Sequence, residues 1–366
     1  MSRRSDVERD RFIVALPQHS QFTLIVCIRV IVPIHFTGLS GFGVTAAGRL
    51  RWNMPARIIY LDQNKWIELA RAASGKAAAE LIQVLDILRE SKRLGLNVFP
   101  LSLGHFIETN KRRDLQSRSR LGSLMWELSD NWTLANPAAI QRWELDRALA
   151  ITLNRRLNER AFSLLGQGIA HASDHLESAI RLDPNRVLPD DLRGSLEKQA
   201  DRLVTESVLT GISPWGEPAK PDLSGPAKKF SDGLLQARAR LLSADPGLQK
   251  RAGYAQVLVD MLEDLERALA FHSIPEAEFF ALGAEGLTRF VDAMPSIRLD
   301  MHLRQQWVRN QQLKTRLSDL NDFGYVGTAA AYCDVVVTEN QLADLLNRDK
   351  KKKATVISSV LDLPKV

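Results

Sequence analysis

The chain has 366 residues, 45% of them hydrophobic and 25% charged. That is the balance of an ordinary water-soluble globular protein, long enough for one large domain with insertions or for two domains. Only two cysteines occur, Cys27 and Cys333, which excludes a disulfide framework and a cysteine zinc site and makes a reducing cytoplasm the expected compartment. The net charge of +6 resembles a nucleic-acid footprint, but seven Arg against three acids in residues 1–53 supply +4 of it and leave +2 for the rest. Charge alone is therefore weak evidence for a nucleic-acid partner.

Residues 1–53 read poorly as structure. Phe22 to Ile34 is an apolar run, but Arg29 and Pro33 interrupt it, and it is too short and broken for an ordinary transmembrane helix. It starts late for a signal peptide, and Gly38, Gly41, Gly43 and Gly48 follow it. The preferred expectation is an N-terminal extension upstream of a natural start at Met54; a membrane anchor is the alternative. No stable membrane association is expected.

The first clean strand is Ile58-Ile59-Tyr60-Leu61, a continuous apolar run of the kind buried on both faces. It ends at Asp62. A helical pattern follows from Trp66 to Leu88, with a weak point at Ser74-Gly75, and Gly95 closes it. Asn97 to Ser102 forms a second strand, made irregular by Pro100. Ser102 can cap the helix that carries Phe106 and Glu108. Thr133-Leu134 reads as a third short strand.

Residues 138–315 are overwhelmingly helical in pattern, with a Pro/Gly-rich connection from Ile212 to Pro226. This stretch is too long for one βα crossover and reads as an all-helical insertion. The pair His171 and His175, at i and i+4, has no third ligand nearby and reads as an exposed helix face. The α/β pattern then resumes. Asp319 to Asp322 opens a small-residue helix from Gly324 to Ala331. Val335 to Val337 is a buried strand ending at Thr338-Glu339-Asn340. Leu342 to Leu346 is helical, Lys350 to Lys353 a charged loop, and Thr355 to Ile357 a last strand. Strands alternating with helices imply a parallel sheet between helical layers, an α/β fold. The expected divisions are 1–53, a core in two parts at 54–137 and 316–366, and the insertion at 138–315.

In a parallel sheet, residues that follow strand ends share one edge. Asp62, Glu108, Asp322 and Glu339 all sit there, on strand ends or on the first turns beyond them. Several carboxylates cannot share a small site while ionised unless a cation neutralises them. Oxygen-only ligands suit Mg²⁺ or Mn²⁺, and such a site is the outline of metal-dependent phosphoryl transfer. Each acid also has a plainer reading. Asp62 would cap the next helix, a role that can coexist with metal ligation. Glu108 would pair with Lys111 or Arg112 on its own helix. Asp334 stands at the start of its strand, on the opposite edge, and reads as structural.

Taken together, Ile58-Ile-Tyr-Leu-Asp62-Gln-Asn64-Lys-Trp66, Ser102-Leu-Gly-His-Phe-Ile-Glu108-Thr-Asn, Asp319-Leu-Asn-Asp322 and Cys333-Asp334-Val-Val-Val-Thr338-Glu339-Asn340 resemble, in order and chain direction, the four motifs of PIN-like domains. The resemblance covers roughly residues 58–135 and 317–366. It implies a three-layer α/β fold and a divalent-metal ribonuclease acting on single-stranded RNA, in a toxin with its antitoxin partner or in RNA processing. Asp62, Glu108 and Asp322 match the family's acids, with Asp319 as a cap or further ligand. Where many members carry Asp, this chain has Glu339 and Asn340. Thr338 and Asn64 are candidates to position water, and Lys111, Arg112 and Arg113 to hold phosphate. A non-catalytic PIN-like binding module for RNA or protein is one alternative. A Mg²⁺-dependent small-molecule phosphohydrolase is another, disfavoured because Asp62-Gln63-Asn64 lacks the Asp-x-Asp pair of aspartyl-phosphate enzymes.

Overall fold

The structure, a computed structural model, describes residues 56–158, 160–174, 190–211, 224–314 and 322–366. The expected extension 1–53, Asp319 and His175 lie outside the described residues, as does the side chain of Asp322.

Strand β1 (Arg57–Leu61) leads directly into α1 (Gln63–Ala73). The helix breaks at Ser74-Gly75, where Gly75 takes a φ of +66° that other residues avoid, and the chain continues as α2 (Ala79–Arg93). Strand β2 keeps only Asn97–Val98. Pro100 has no N–H for the ladder, and pairing resumes beyond it as an isolated parallel bridge from Leu101 to Thr133. Helices α3 (Leu103–Asn110) and α4 (Leu115–Ser129) and strand β3 (Trp132–Leu134) follow.

After the inserted segment come a π-helical turn (Asp322–Val326), α14 (Gly327–Tyr332), β5 (Val335–Val337), α15 (Asn340–Asn347) and β6 (Thr355–Ile357), then a closing 3₁₀ turn (Val360–Lys365). The expected helix of residues 324–331 thus begins as a wide turn, and only its second half is α-helical.

The sheet is parallel, in the order β2-β1-β5-β6, and the Leu101–Thr133 bridge brings β3 up beyond β2. The chain builds outward from β1 on one flank, then returns to lay β5 on the other. Strand order therefore reverses between β1 and β5, the place where ligands bind in open α/β sheets.

Alternation along the strands creates two faces. Ile59, Leu61, Val335 and Val337 pack into a core with Trp66, Leu69, Phe106, Leu124 and Met125. Tyr60, Val336 and Val356 point the other way, into a core with Leu303, Trp307, Ala330 and Leu346. Full burial of a Leu or Phe stabilises by about 1.5–3 kcal/mol, so the strand register is fixed from both sides. The result is an α/β fold with a parallel sheet between two helical layers.

The inserted segment runs through α5 (Pro137–Thr152), β4 (Leu165–Gln167), α6 (Gly168–Ser173), α7 (Asp190–Thr210), α8 (Ser224–Leu241), α9 (Pro246–Asp260), α10 (Leu262–Phe271), α11 (Glu276–Phe280), α12 (Gly283–Asp292) and α13 (Pro295–Arg309). It is not all-helical, which corrects the expectation. Strand β4 pairs antiparallel with β3, Thr133 opposite Gly166. Three residues with Gly166 at their centre and Gly168 just beyond offer no period to detect. His171, expected on an exposed face, instead ties this strand pair together, with Nδ1 2.9 Å from Thr133 Oγ1 and Nε2 3.1 Å from the Ser163 carbonyl.

Helices of the insertion cover both faces of the sheet. Val204, Val208 and Leu209 of α7 join the first core, and Leu234 of α8 and Leu299 of α13 the second. Helix α7 approaches α4 so closely that a Cβ on Gly122 would stand 2.3 Å from the Leu209 carbonyl oxygen. Leu145, Met261, Phe279 and Phe290 belong to a third core formed between α5 and α9–α13. Among the described residues no helix is long and apolar enough to cross a membrane.

Candidate functional site

At the C-terminal edge of the sheet, β1 and β5 end side by side, Leu61 opposite Val337. Asp62 comes next, its amide donating to the Val337 carbonyl at 2.9 Å. Its extended backbone makes it the N-cap of α1. Oδ1 accepts from the Gln63 N–H at 2.7 Å, and Oδ2 accepts from the Thr338 hydroxyl at 2.8 Å. Thr338 is fully buried, so this bond locks the acid across the two strands at the switch point. Capping and cross-strand bonding take two of the roughly four acceptor positions of a carboxylate; among the described residues no further donor fills the others.

Burial pushes the Asp62 carboxyl above the usual range. The bonds from Thr338 and Gln63 pull it back, the Glu339 carboxylate pushes it further, and the Lys65 ammonium lowers it. Glu339 is half-buried and occupies the N-cap position of α15, yet its side chain makes no capping bond. Lys65 is buried on the first turn of α1, with Nζ 2.9 Å from Glu68 Oε1.

A second element is bolted to the same edge through His105. The Ser102 N–H donates to Nδ1 at 2.9 Å, so the ring proton lies on Nε2, which donates to the Leu61 carbonyl at 2.9 Å. The ring stacks on Tyr60 and meets the edge of Trp66, at centroid distances of 5.1 and 6.3 Å. Burial pushes this histidine down to about 3, against the Leu61 bond, so it stays neutral at ordinary pH. Tyr60 completes the joint, its hydroxyl 3.0 Å from Ser102 Oγ. The start of α3, which carries Glu108, is thereby fixed to the residue before Asp62.

Glu108 is half-buried. Burial raises the Tyr60 phenol well above its ordinary value, and the charges of Asp62 and Glu108 both push it further. Both carboxylates therefore act on one phenol. Glu108 also raises Tyr325, after burial. Tyr325 lies on the π-turn that Asp322 opens, and its ring packs on α3 so tightly that a Cβ on Gly104 would stand 2.7 Å from it. The turn that begins at Asp322 thus meets the first turn of α3 through the Tyr325 ring.

The structure accordingly brings Asp62, Thr338 and Glu339 together, sets Glu108 within the same electrostatic field, and lays the turn opened by Asp322 against α3. Asn64 and Asn340 are exposed on the first turns of α1 and α15, at the same edge. Lys111 and Arg113 are exposed at the far end of α3, while Arg112 donates to Ser117 Oγ at 3.1 Å. Lys350 to Lys353 precede β6 and so belong to the opposite edge. Asp334 is there too, accepting from the Ile58 N–H at 2.8 Å and pairing with Lys353 at 3.1 Å. Cys333 is buried and unpaired by any disulfide, its thiol raised by burial. Among the described residues, no three His, Cys, Asp or Glu side chains form a group that could hold a metal ion.

Lys65 and His105 escaped the sequence reading. His105 left a signal: it stands three residues past a serine N-cap, the position from which a side chain can reach back to the cap N–H. Nothing local marks Lys65 as buried beside Asp62. Comparison with family models, curated proteins and solved structures finds no match to this chain.

Proposed function

We propose that the chain is a divalent-metal-dependent nuclease of the PIN-like kind, hydrolysing phosphodiester bonds in single-stranded RNA. One observation carries this reading: Asp62 is a buried carboxylate at the topological switch point, held by Thr338 with Glu339 in its field. Burying an ionised acid beside a second acid costs the fold free energy. A hard cation would offset that cost. Among the described residues Glu108 and Glu339 do not gather with Asp62 into one ligand group, but the carboxylate oxygens at this edge are the donor type that suits Mg²⁺ or Mn²⁺. A bound ion of this kind supplies an activated water and neutralises charge on phosphoryl oxygens. The chain's own residues do the rest. Thr338 and the Gln63 amide fix the Asp62 carboxylate. His105 sets α3, and with it Glu108, against the end of β1. Lys65, Lys111, Arg112 and Arg113 supply positive charge for phosphates, and Asn64 and Asn340 offer amide groups at the rim. Such an activity would serve a cytoplasmic toxin, with an antitoxin as partner, or an RNA-processing enzyme.

A non-catalytic binding module is the second reading, favoured by Lys65, whose ammonium already lowers the Asp62 carboxyl and could stand in for a metal. The test compares cleavage of single-stranded RNA by the full chain and by Asp62→Asn, each with Mg²⁺, Mn²⁺ or EDTA, alongside melting curves. Asparagine preserves the shape and the cap. Metal-dependent cleavage by the wild type alone, with both proteins folded, is the expected result. Equal cleavage by the variant would reduce Asp62 to a cap. No cleavage by either protein with any metal would favour the binding module.

A further inference from the structure

On the edge of the sheet away from Asp62, the loop before β6, the length of α13 and the start of α9 enclose a groove of about 690 Å³. Five exposed cations rim it: Lys250 on α9, Arg309 at the end of α13, and Arg348, Lys350 and Lys351 in the loop. Two acids line it, and both are occupied. Asp349 is 7% exposed, pairs with Arg298 on α13 and accepts the Lys351 N–H at 2.7 Å. Asp292 accepts from the Tyr254 hydroxyl at 2.8 Å and lies 3.6 Å from Lys351 Nζ. Among the described residues no acid pairs with Lys250, Arg309 or Lys350.

Two features indicate what such a groove holds. Like charges gathered around a concavity repel one another and raise its potential, a cost that a polyanion relieves. Tyr254 lies half-buried among these cations, its ring held by Asp292 and flanked by Lys250 Nζ at 5.8 Å. A fixed aromatic ring amid phosphate-reaching cations is the pattern that grips a single strand, base on ring and backbone on lysine. A flat bilayer would not reach a recessed ring.

We propose that this groove binds the backbone of single-stranded RNA. The choice of RNA rests on the nuclease proposal; the affinity for a polyanion rests on the groove alone. Because the groove lies across the sheet from Asp62, it would anchor long substrates and leave short ones unaffected.

The test measures binding of a fluorescent single-stranded RNA to the full chain in EDTA over a range of salt. Lys250→Glu with Lys350→Glu alters two exposed side chains. Arg71→Glu with Lys76→Glu makes the same change of charge at the end of α1 and in the loop after it, on the other face of the sheet. The groove variant should bind at least about tenfold more weakly at low salt, with the log–log salt slope smaller by about 1.4, at about 0.7 per phosphate contact. The variant at Arg71 and Lys76 should bind as the wild type does. Because metal is absent, this outcome is independent of whether the chain cleaves RNA. Equal weakening by both charge-reversal pairs, or none by the groove pair, would overturn the proposal. So would a groove variant that loses adhesion to phosphatidylserine vesicles and keeps its RNA.

Discussion

Asp62 and Asp334 flank two strands that pair with each other, one at each end. Asp334 precedes β5, is 36% exposed in its side chain, and has Lys353 3.1 Å away. Its second oxygen accepts the Ile58 N–H, so it serves the sheet as a staple. Asp62 follows β1, is 9% exposed, and has a carboxylate as well as an ammonium in its field. Two identical side chains, one strand length apart, thus receive opposite treatment. The first is neutralised by the protein. The second is buried at a cost and, among the described residues, has acceptor positions to spare, as the proposed ligand of an outside cation would.

The largest effect should separate these two residues in one assay. Asp62→Asn should lower metal-dependent RNA cleavage by more than about a hundredfold, beyond the 10–100-fold typical of losing an outer-shell partner. Asp334→Asn should leave cleavage unchanged and cost about 1 kcal/mol of stability, as loss of an exposed ion pair and of charge on one hydrogen bond would. Loss of cleavage in Asp334→Asn at intact stability would erase the contrast.

The joint between β1 and α3 comes next. His105→Ala leaves the Ser102 N–H and the Leu61 carbonyl buried without partners and opens a cavity beneath Tyr60, which should cost about 2–4 kcal/mol in denaturant melts. The pH dependence carries a sign. His105 is held down to about 3 from an ordinary 6.5, so between those values the unfolded chain binds the extra proton. Its contribution is complete above 6.5 and is lost as pH falls toward 3. His105→Gln should flatten that acid limb; an unchanged limb would assign the loss to other groups.

A smaller effect tests how α7 packs on α4, beside the helices that Asp62 caps and that carry Glu108. Gly122→Ala should cost about 1–3 kcal/mol, because the new methyl meets the Leu209 carbonyl and forces α7 off α4. Cleavage per folded molecule should not change. A neutral or stabilising result would show that the two helices are not in close contact.

Local pattern carried much of this fold. The apolar run of β1, the break at Ser74-Gly75, and β5 and β6 were all legible because each rests on a few adjacent residues. Strand direction alone placed Asp62 and Glu339 on one edge and Asp334 on the other. The same rule assigns Lys350 to Lys353 to the Asp334 edge, since they precede β6. What sequence did not reveal depends on distant partners. Strand β4 exists because β3 pairs with it. The π-turn at Asp322 has no periodic signature. The burial of Lys65 and the double bond-making of His105 arise only once α3 lies beside β1.

The central claim, that the Asp62 edge binds a divalent cation, is tested most directly by titrating Mn²⁺ calorimetrically into the metal-free full chain. Burial raises the Asp62 carboxyl, so its contribution to stability is present below the ordinary Asp value and is lost as pH rises through the raised one. In EDTA the melting temperature of Asp62→Asn should therefore gain on that of the wild type as pH rises. Protons and metal compete for the same oxygens, so Mn²⁺ should bind the wild type and Asp334→Asn near pH 7, more weakly at about pH 5, and Asp62→Asn hardly at all. A wild type that takes up no Mn²⁺, or an Asp62→Asn that binds it as tightly, would contradict the account.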